Sequence, residues 1–430
     1  MEVWKVLETT TKHKLINLFA VGLLFWISIT LLLPTLPTYI QTMGATTQQV
    51  GIVMSCFAIG LIASRTWLGK VADIRSRKIV ILIGTLVAAI APIFYLSVNS
   101  IFGLGCIRAF HGISIAAFTI GYSTLVLDLS PVQHRGTLIG YMNLAVPTGM
   151  SIGPALGGFL QISGKHYIPE GTGYEVLFAI STTCGILAFA LSSQIRETSL
   201  PGSKSQSKNS DRIKRSFWQL TRDPALIVPT IILLLIGLVF GTLVAFLPLF
   251  IQELQLAFNV GLYYTITAIA SFSVRLFVGK ASDRYGRGLF ISGALVCYVI
   301  SMVLLAQAQT PMMFMLSAIA QGTGAGILIP LTLTLISDRS YSDERGKVFA
   351  LCLGGFDVGI ALGGFTLGSL SFILGGYRGI FSLAAILALI ALIIFVTQVG
   401  KSFRNSLFFA LGKAQDTYAL IDILPSRDGG

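Results

Sequence analysis

Stretches of about 20 apolar residues recur along nearly the whole chain, and a helix rising 1.5 Å per residue needs that length to cross a hydrocarbon core. Length and flanking charge place twelve of them, at 15–40, 48–68, 79–98, 101–126, 138–160, 175–195, 225–251, 257–278, 288–308, 311–335, 347–371 and 376–398. Too little sequence is left between them to build a soluble core. Composition agrees: of 430 residues, 54% are hydrophobic and only 11% charged, with a mean hydropathy of +0.81. The first span is too long for the apolar segment of a signal peptide and no small-residue cleavage site closes it, so it is expected to stay in the mature protein. The expected fold class is an all-α integral membrane protein with twelve transmembrane helices.

The formal charge of +12 could suggest nucleic acid, yet the basic residues sit in alternate loops, the pattern of the positive-inside rule. Lys5, Lys12 and Lys14, then Lys70 to Lys78, Arg135, Arg196 to Arg222, Lys280 to Arg287, Arg339 to Lys347 and Lys401 to Arg427 fall on one side. The intervening loops hold almost only Lys165 and Arg378. That side is expected to be cytoplasmic, with both termini on it, and the compact length and short loops suit a bacterial inner membrane as the setting. Cys56, Cys106, Cys184, Cys297 and Cys352 all lie inside spans with neither a CxxC pair nor a metal spacing, so they read as apolar packing residues.

One charged decapeptide is written twice, GKVADIRSRK from residue 69 and GKASDRYGRG from residue 279. The repeat extends well beyond it. Arg65 and Arg275, Gly69 and Gly279, Asp73 and Asp283, Arg77 and Arg287, Gly112 and Gly322, Asp128 and Asp338, Arg135 and Arg345, and Gly153 and Gly363 all share an offset of 210. Two homologous halves follow, a parallel-repeat plan known in secondary transporters. The expected division is 1–195 for an N-terminal six-helix half, 196–224 for a polar and basic cytoplasmic linker, 225–400 for a C-terminal six-helix half, and 401–430 for a polar tail with a short interfacial helix near SLFFALGKAQ.

The doubled loop resembles motif A of the major facilitator superfamily, roughly G-x-L-A-D-R-x-G-R-K. Gly69, Asp73, Arg77 and Lys78 match in the first half, where Val71, Ile74 and Ser76 depart; Gly279, Asp283, Arg284, Gly286 and Arg287 match in the second. The resemblance covers nearly the whole chain and implies two pseudo-symmetric six-helix bundles working by alternating access. It also implies a conformational latch in which Asp73 and Arg77 engage Asp128 and the facing end of span 11, with Asp283, Arg287 and Asp338 as the symmetric set. The glycines are expected to form the turn leaving the helix. Solvated charges that merely set topology are the alternative.

Span 5 reads PTGMSIGPALGG and is similar to motif C of proton-coupled efflux members, with Gly149, Gly153, Pro154, Gly157 and Gly158 matching. Glycines at i, i+4 and i+8 make a groove along one helix face, and Pro154 removes a backbone hydrogen bond. Ordinary small-residue packing explains the glycines equally well but not the proline.

Ionisable groups deep in a span are costly and therefore candidates for function. Asp357 lies about 16 Å into span 11, close to the midplane. A carboxylate there can take up and release a proton as access alternates. Arg108, with Gly112, resembles the motif B arginine linked to proton transfer in drug exporters, and His111 lies on nearly the same face. A structural arginine and a packing histidine are the alternatives. Arg65 and Arg275 lie four residues before the motif glycines, which suggests snorkelling to the headgroups rather than an anion clamp.

The first span has no Asp or Glu, although several multidrug exporters carry one there. A central substrate cavity is assigned to Trp26, Tyr39, Tyr122, Asn143, Phe240, Tyr263, Gln321 and Phe356, which suits an amphipathic organic molecule. No HExxH, GxSxG or Walker A pattern is present, and GTGAG at 322–326 falls within span 10, so no enzyme, cofactor or metal site is expected. The expected function is proton-coupled efflux of a drug, siderophore or other small metabolite, with small-molecule substrate, protons and membrane lipid as partners and no nucleic acid. A proton-coupled importer is the alternative, because the fold runs in either direction.

Overall fold

The computed structural model describes residues 8–131, 135–167, 173–195, 215, 217–341 and 344–420. Those residues form helices and turns, and eleven helices among them are long and apolar enough to cross a membrane. In chain order the spans are Thr9–Leu31 continued by Leu36–Thr42, then Thr47–Ile74, Arg77–Ser97, Ile101–Leu129, Ala145–Tyr167 and Tyr174–Ser193. The second six are Pro224–Glu253, Val260–Tyr285, Arg287–Ala306, Pro311–Asp338, Arg345–Ser369 and Tyr377–Gln398. Span 5, Ala145–Tyr167, completes the twelve.

Two spans are broken where proline forbids a continuous ladder. In span 1, LLLPTLP interrupts the helix at residues 32–35, because Pro34 and Pro37 supply no N–H to the preceding turn. In span 5, Pro147 cannot donate to the Asn143 carbonyl, and Arg135–Met142 stands apart from Ala145–Tyr167. Polar caps start several others. Thr46 and Gln49 form a reciprocal capping box on span 2, and Asn259 accepts the Gly261 amide at 2.8 Å on span 8.

Spans 1–6 pack with one another, as do spans 7–12, and the halves meet through span 2 against span 11 and span 5 against span 8. One apolar cluster runs across the junction, from Leu31, Tyr39, Val50 and Met54 to Phe246, Phe250 and Leu367. These residues lie away from the termini, on the side opposite the basic loops. Toward the basic side the N-terminal half has its own cluster, with Leu15, Phe25, Phe118 and Leu125, and so does the C-terminal half, with Leu226, Leu233, Ile336 and Val348. The halves are therefore joined on the opposite side and separately packed on the basic side.

The joint depends on glycine. A side chain at Gly51 would run into the Gly364 carbonyl, and one at Gly261 into the Pro154 carbonyl. The two contacts are the same contact shifted by 210 residues, so the sequence repeat is a repeat of interfaces as well.

Candidate functional site

On the basic side the motif residues pair within each half. Arg77, at the start of span 3, meets Asp128 at the end of span 4, Nε to Oδ2 2.6 Å, and Arg287 meets Asp338 in the same way. Asp283 stands 3.9 Å from Arg287, one turn earlier on the chain. Asp73 is exposed and forms no ion pair among the described residues, so the expected contact with span 11 is not made here. That expectation needed the two halves to close on the basic side, where their cores are apart. The expected glycine turns are also corrected: Gly69 and Gly279 lie inside their helices, and the turns come later, at Arg75–Ser76 and at Gly286 with φ of 90°.

Between the halves, Arg65 Nη1 of span 2 lies 2.6 Å from Asp357 Oδ2 of span 11. The aspartate side chain is 12% exposed and the arginine 32%, and the contact is an ion pair without hydrogen-bond alignment. Helical side chains lean toward their own N-termini. Spans 2 and 11 are antiparallel, so Arg65 leans away from the basic side while Asp357 leans toward it, and the two meet. This overturns snorkelling for Arg65. Position relative to the motif glycine concealed the pairing, because it measures the Cα and not the long side chain.

Arg108 and His111 lie together but away from that pair, at the level of Phe57, about 12 Å along span 2 from Arg65. Arg108 is buried, its guanidinium 4.3 Å over the Phe57 ring and its Nε without a partner. His111 is fully enclosed, with Nδ1 3.2 Å from the Tyr95 hydroxyl and Nε2 unpartnered. The three residues assigned to proton coupling thus form two sites.

The span 5 glycines serve two neighbours. Gly149, Gly153 and Gly157 abut Trp26, Thr30 and Leu31 of span 1, whereas Gly158 abuts Asn259 of span 8. The Thr265 hydroxyl adds a 2.9 Å bond to the Ser151 carbonyl across the halves.

Several residues assigned to the substrate cavity belong to packing instead. Tyr39 donates to the Tyr95 carbonyl at 2.8 Å, Tyr122 to that of Met142 at 2.9 Å, and Tyr263 pairs with Ser317 at 3.1 Å, each ring buried in its own half. Gln321 is buried as well, with Oε1 unpartnered. Trp26, Phe240 and Phe356 are half-buried, the last two with rings 6.0 Å apart, and Asn143 is exposed. Alternation of faces along a helix could not be read without knowing its neighbours. A groove of about 890 Å³ lies elsewhere, at the mouth opposite the basic side, lined by Gln41, Thr47, Gln252, Glu253, Ser369 and Tyr377.

The linker end and the tail carry contacts that the sequence did not signal. Arg339, fully buried, bonds Asp416 through Nε at 2.7 Å and Nη2 at 2.8 Å, and also the Ala225 and Val399 carbonyls. The helix expected in the tail is present as Phe403–Ala410, packed on spans 9 and 12. Arg215 bonds Glu344 at 2.6 Å and Asp223 at 2.5 Å, and its hydrogen bonds hold the Glu344 carboxyl below the usual value.

The family model described as Major Facilitator Superfamily matches residues 18–310 and 257–407. Multidrug resistance protein MdtG of Salmonella choleraesuis (strain SC-B67) is 26% identical over 368 residues, covering 83% of this chain and 87% of its own, and MdtG of Salmonella typhi matches to the same extent. Among solved structures, a variant of nucleoside transporter NupG aligns with a TM-score of 0.73 at 16% identity, over 88% of this chain and 98% of its own. A bacterial homolog of the human lysosomal transporter Spinster, inward-facing and unoccupied, aligns with a TM-score of 0.72 at 16% identity, over 95% and 99%. These likenesses to solved structures establish the shared fold.

Proposed function

The chain belongs to the Major Facilitator Superfamily, a transporter rather than an enzyme, and on that premise we propose that it exports a small amphipathic organic molecule in exchange for protons. The two halves rock about the substrate, with the basic side and both termini in the cytoplasm. Under this assignment the described conformation is closed outward.

The observation that carries the reading is the Arg65–Asp357 pair. Every other described carboxylate lies at a span end or in a loop, whereas Asp357 is buried mid-span, on the surface where the halves meet. Protonation of Asp357 dissolves the pair and frees Arg65; deprotonation restores it. A group whose charge state decides whether the halves are tied is suited to couple proton entry to rocking. Arg77–Asp128 and Arg287–Asp338 act as fixed struts that keep each half rigid, with Asp73 left to engage when the basic side closes. Span 5, with its resemblance to motif C, and relatives named for multidrug resistance favour export.

The test is substrate-evoked proton movement in proteoliposomes, wild type beside Asp357→Asn, across a panel of amphipathic drugs, siderophores and sugars. Protons should move opposite to substrate, and the variant should insert normally yet lose the signal. Protons moving with substrate would replace efflux by import. An unchanged signal in the variant would remove Asp357 from the mechanism.

A further inference from the structure

Arg275 repeats Arg65 at the offset of 210, in a span that repeats span 2 and packs on the repeat of span 11. The surrounding interface obeys the same symmetry, since Gly51 against Gly364 recurs as Gly261 against Pro154. Yet the carboxylate is missing. The position that repeats Asp357 is Pro147 in span 5, and among the described residues Arg275 has neither a hydrogen bond nor an ion pair.

A second observation points the same way. Arg108 is 5% exposed, and no carboxylate lies within 4 Å of it among the described residues. Between the span ends the described bundle holds Arg65, Arg108 and Arg275 against Asp357 alone. Arg275 is exposed rather than enclosed, so a ligand can reach it, and a surplus of cations between the span ends sets a positive potential that repels cationic ligands and draws anionic ones.

We infer that the space between spans 8 and 5 is an anion subsite, where an acidic group of an amphipathic organic substrate takes against Arg275 the place Asp357 takes against Arg65. The inference rests on the efflux reading for the direction of transport only. A guanidinium presents a planar fork suited to a carboxylate, so the substrate class is an organic acid with an apolar body. Export of such an anion against an entering proton moves two positive charges inward per cycle at a one-to-one ratio, so an inside-negative membrane drives it.

The experiment measures binding of pyrenebutyrate, and of the matched cation pyrenebutyl-trimethylammonium, to the full chain in nanodiscs by fluorescence anisotropy. Wild type should favour the anion. Arg275→Gln should weaken the anion about tenfold, as loss of one charge-assisted bond does, and leave the cation unaffected, while Arg275→Lys keeps most of the affinity. Pro147→Asp, which supplies the missing internal carboxylate, should weaken the anion as well. Unchanged anion affinity in folded Arg275→Gln would mean that the arginine serves only the membrane surface, and a wild type that prefers the cation would sink the substrate class. Should Arg275→Gln not fold, unaltered anion binding in Pro147→Asp overturns the subsite. In vesicles, uptake of pyrenebutyrate together with protons would remove the efflux reading while leaving the anion preference standing.

Discussion

Arg65 and Asp357 should be energetically coupled, and a double-mutant cycle of Arg65→Gln, Asp357→Asn and the double variant measures by how much. Two unit charges about 4 Å apart attract by ~4 kcal/mol at the effective dielectric of about 20 that suits such sites. Because a third of the arginine side chain is open to the gap between the halves, screening reduces this by about half. The expected coupling is therefore about 2 kcal/mol. Arg65→Gln should be the more damaging single change, since it strands a carboxylate only 12% exposed, while Asp357→Asn leaves an arginine that can turn toward water. The double variant should be less damaged than the sum of the two. Chemical denaturation of the purified protein in detergent reads all four species. Additivity within about 0.5 kcal/mol would refute the pair as an energetic link.

Three further outcomes follow from the contacts. Gly51→Val should hold spans 2 and 11 apart, because its side chain meets the Gly364 carbonyl and the Phe246 ring; a cysteine placed at Thr47 in a background freed of native cysteines should then react faster with an impermeant maleimide. Asp416→Asn should cost about 3 kcal/mol in denaturation, since it leaves the fully buried Arg339 without its carboxylate. Glu344→Gln should expose the bond after Arg215 to trypsin. The Glu344 carboxyl is held below its usual value, so the wild-type contact is present at neutral pH and lost as pH falls through the lowered value; the accompanying acid transition in tryptophan fluorescence should be missing from Glu344→Gln.

The candidate site was legible in part. Asp357 could be found as a charge too deep in a span to be accidental, and Arg77 with Asp128 through the resemblance to motif A, both residues recurring at the offset of 210. Its partner Arg65 could not be found, since the argument from distance to Gly69 used the backbone position of a side chain that reaches well beyond it. The cavity tyrosines failed for a related reason. Tyr39, Tyr122 and Tyr263 are amphipathic enough to line a binding site, but each hydroxyl is taken up by a carbonyl or serine within its own half. Arg339 looked like any basic loop residue, and only the folded tail brings Asp416 to it.

By itself the sequence determined the solvent, the number of spans, the sharing of one side by the basic loops and the duplication at 210 residues. These are properties of single helices and of their order, and apolar length and charge record them directly. The tertiary structure alone decided that span 2 abuts span 11, that the halves are joined on the side away from the basic loops, and that Arg65 has a carboxylate where Arg275 has none. Inside a bilayer every span is apolar on nearly all faces, so hydrophobic pattern cannot say which face meets which neighbour. That choice is made by close packing of small residues such as Gly51 and Gly364, and by the few charges the interface must satisfy.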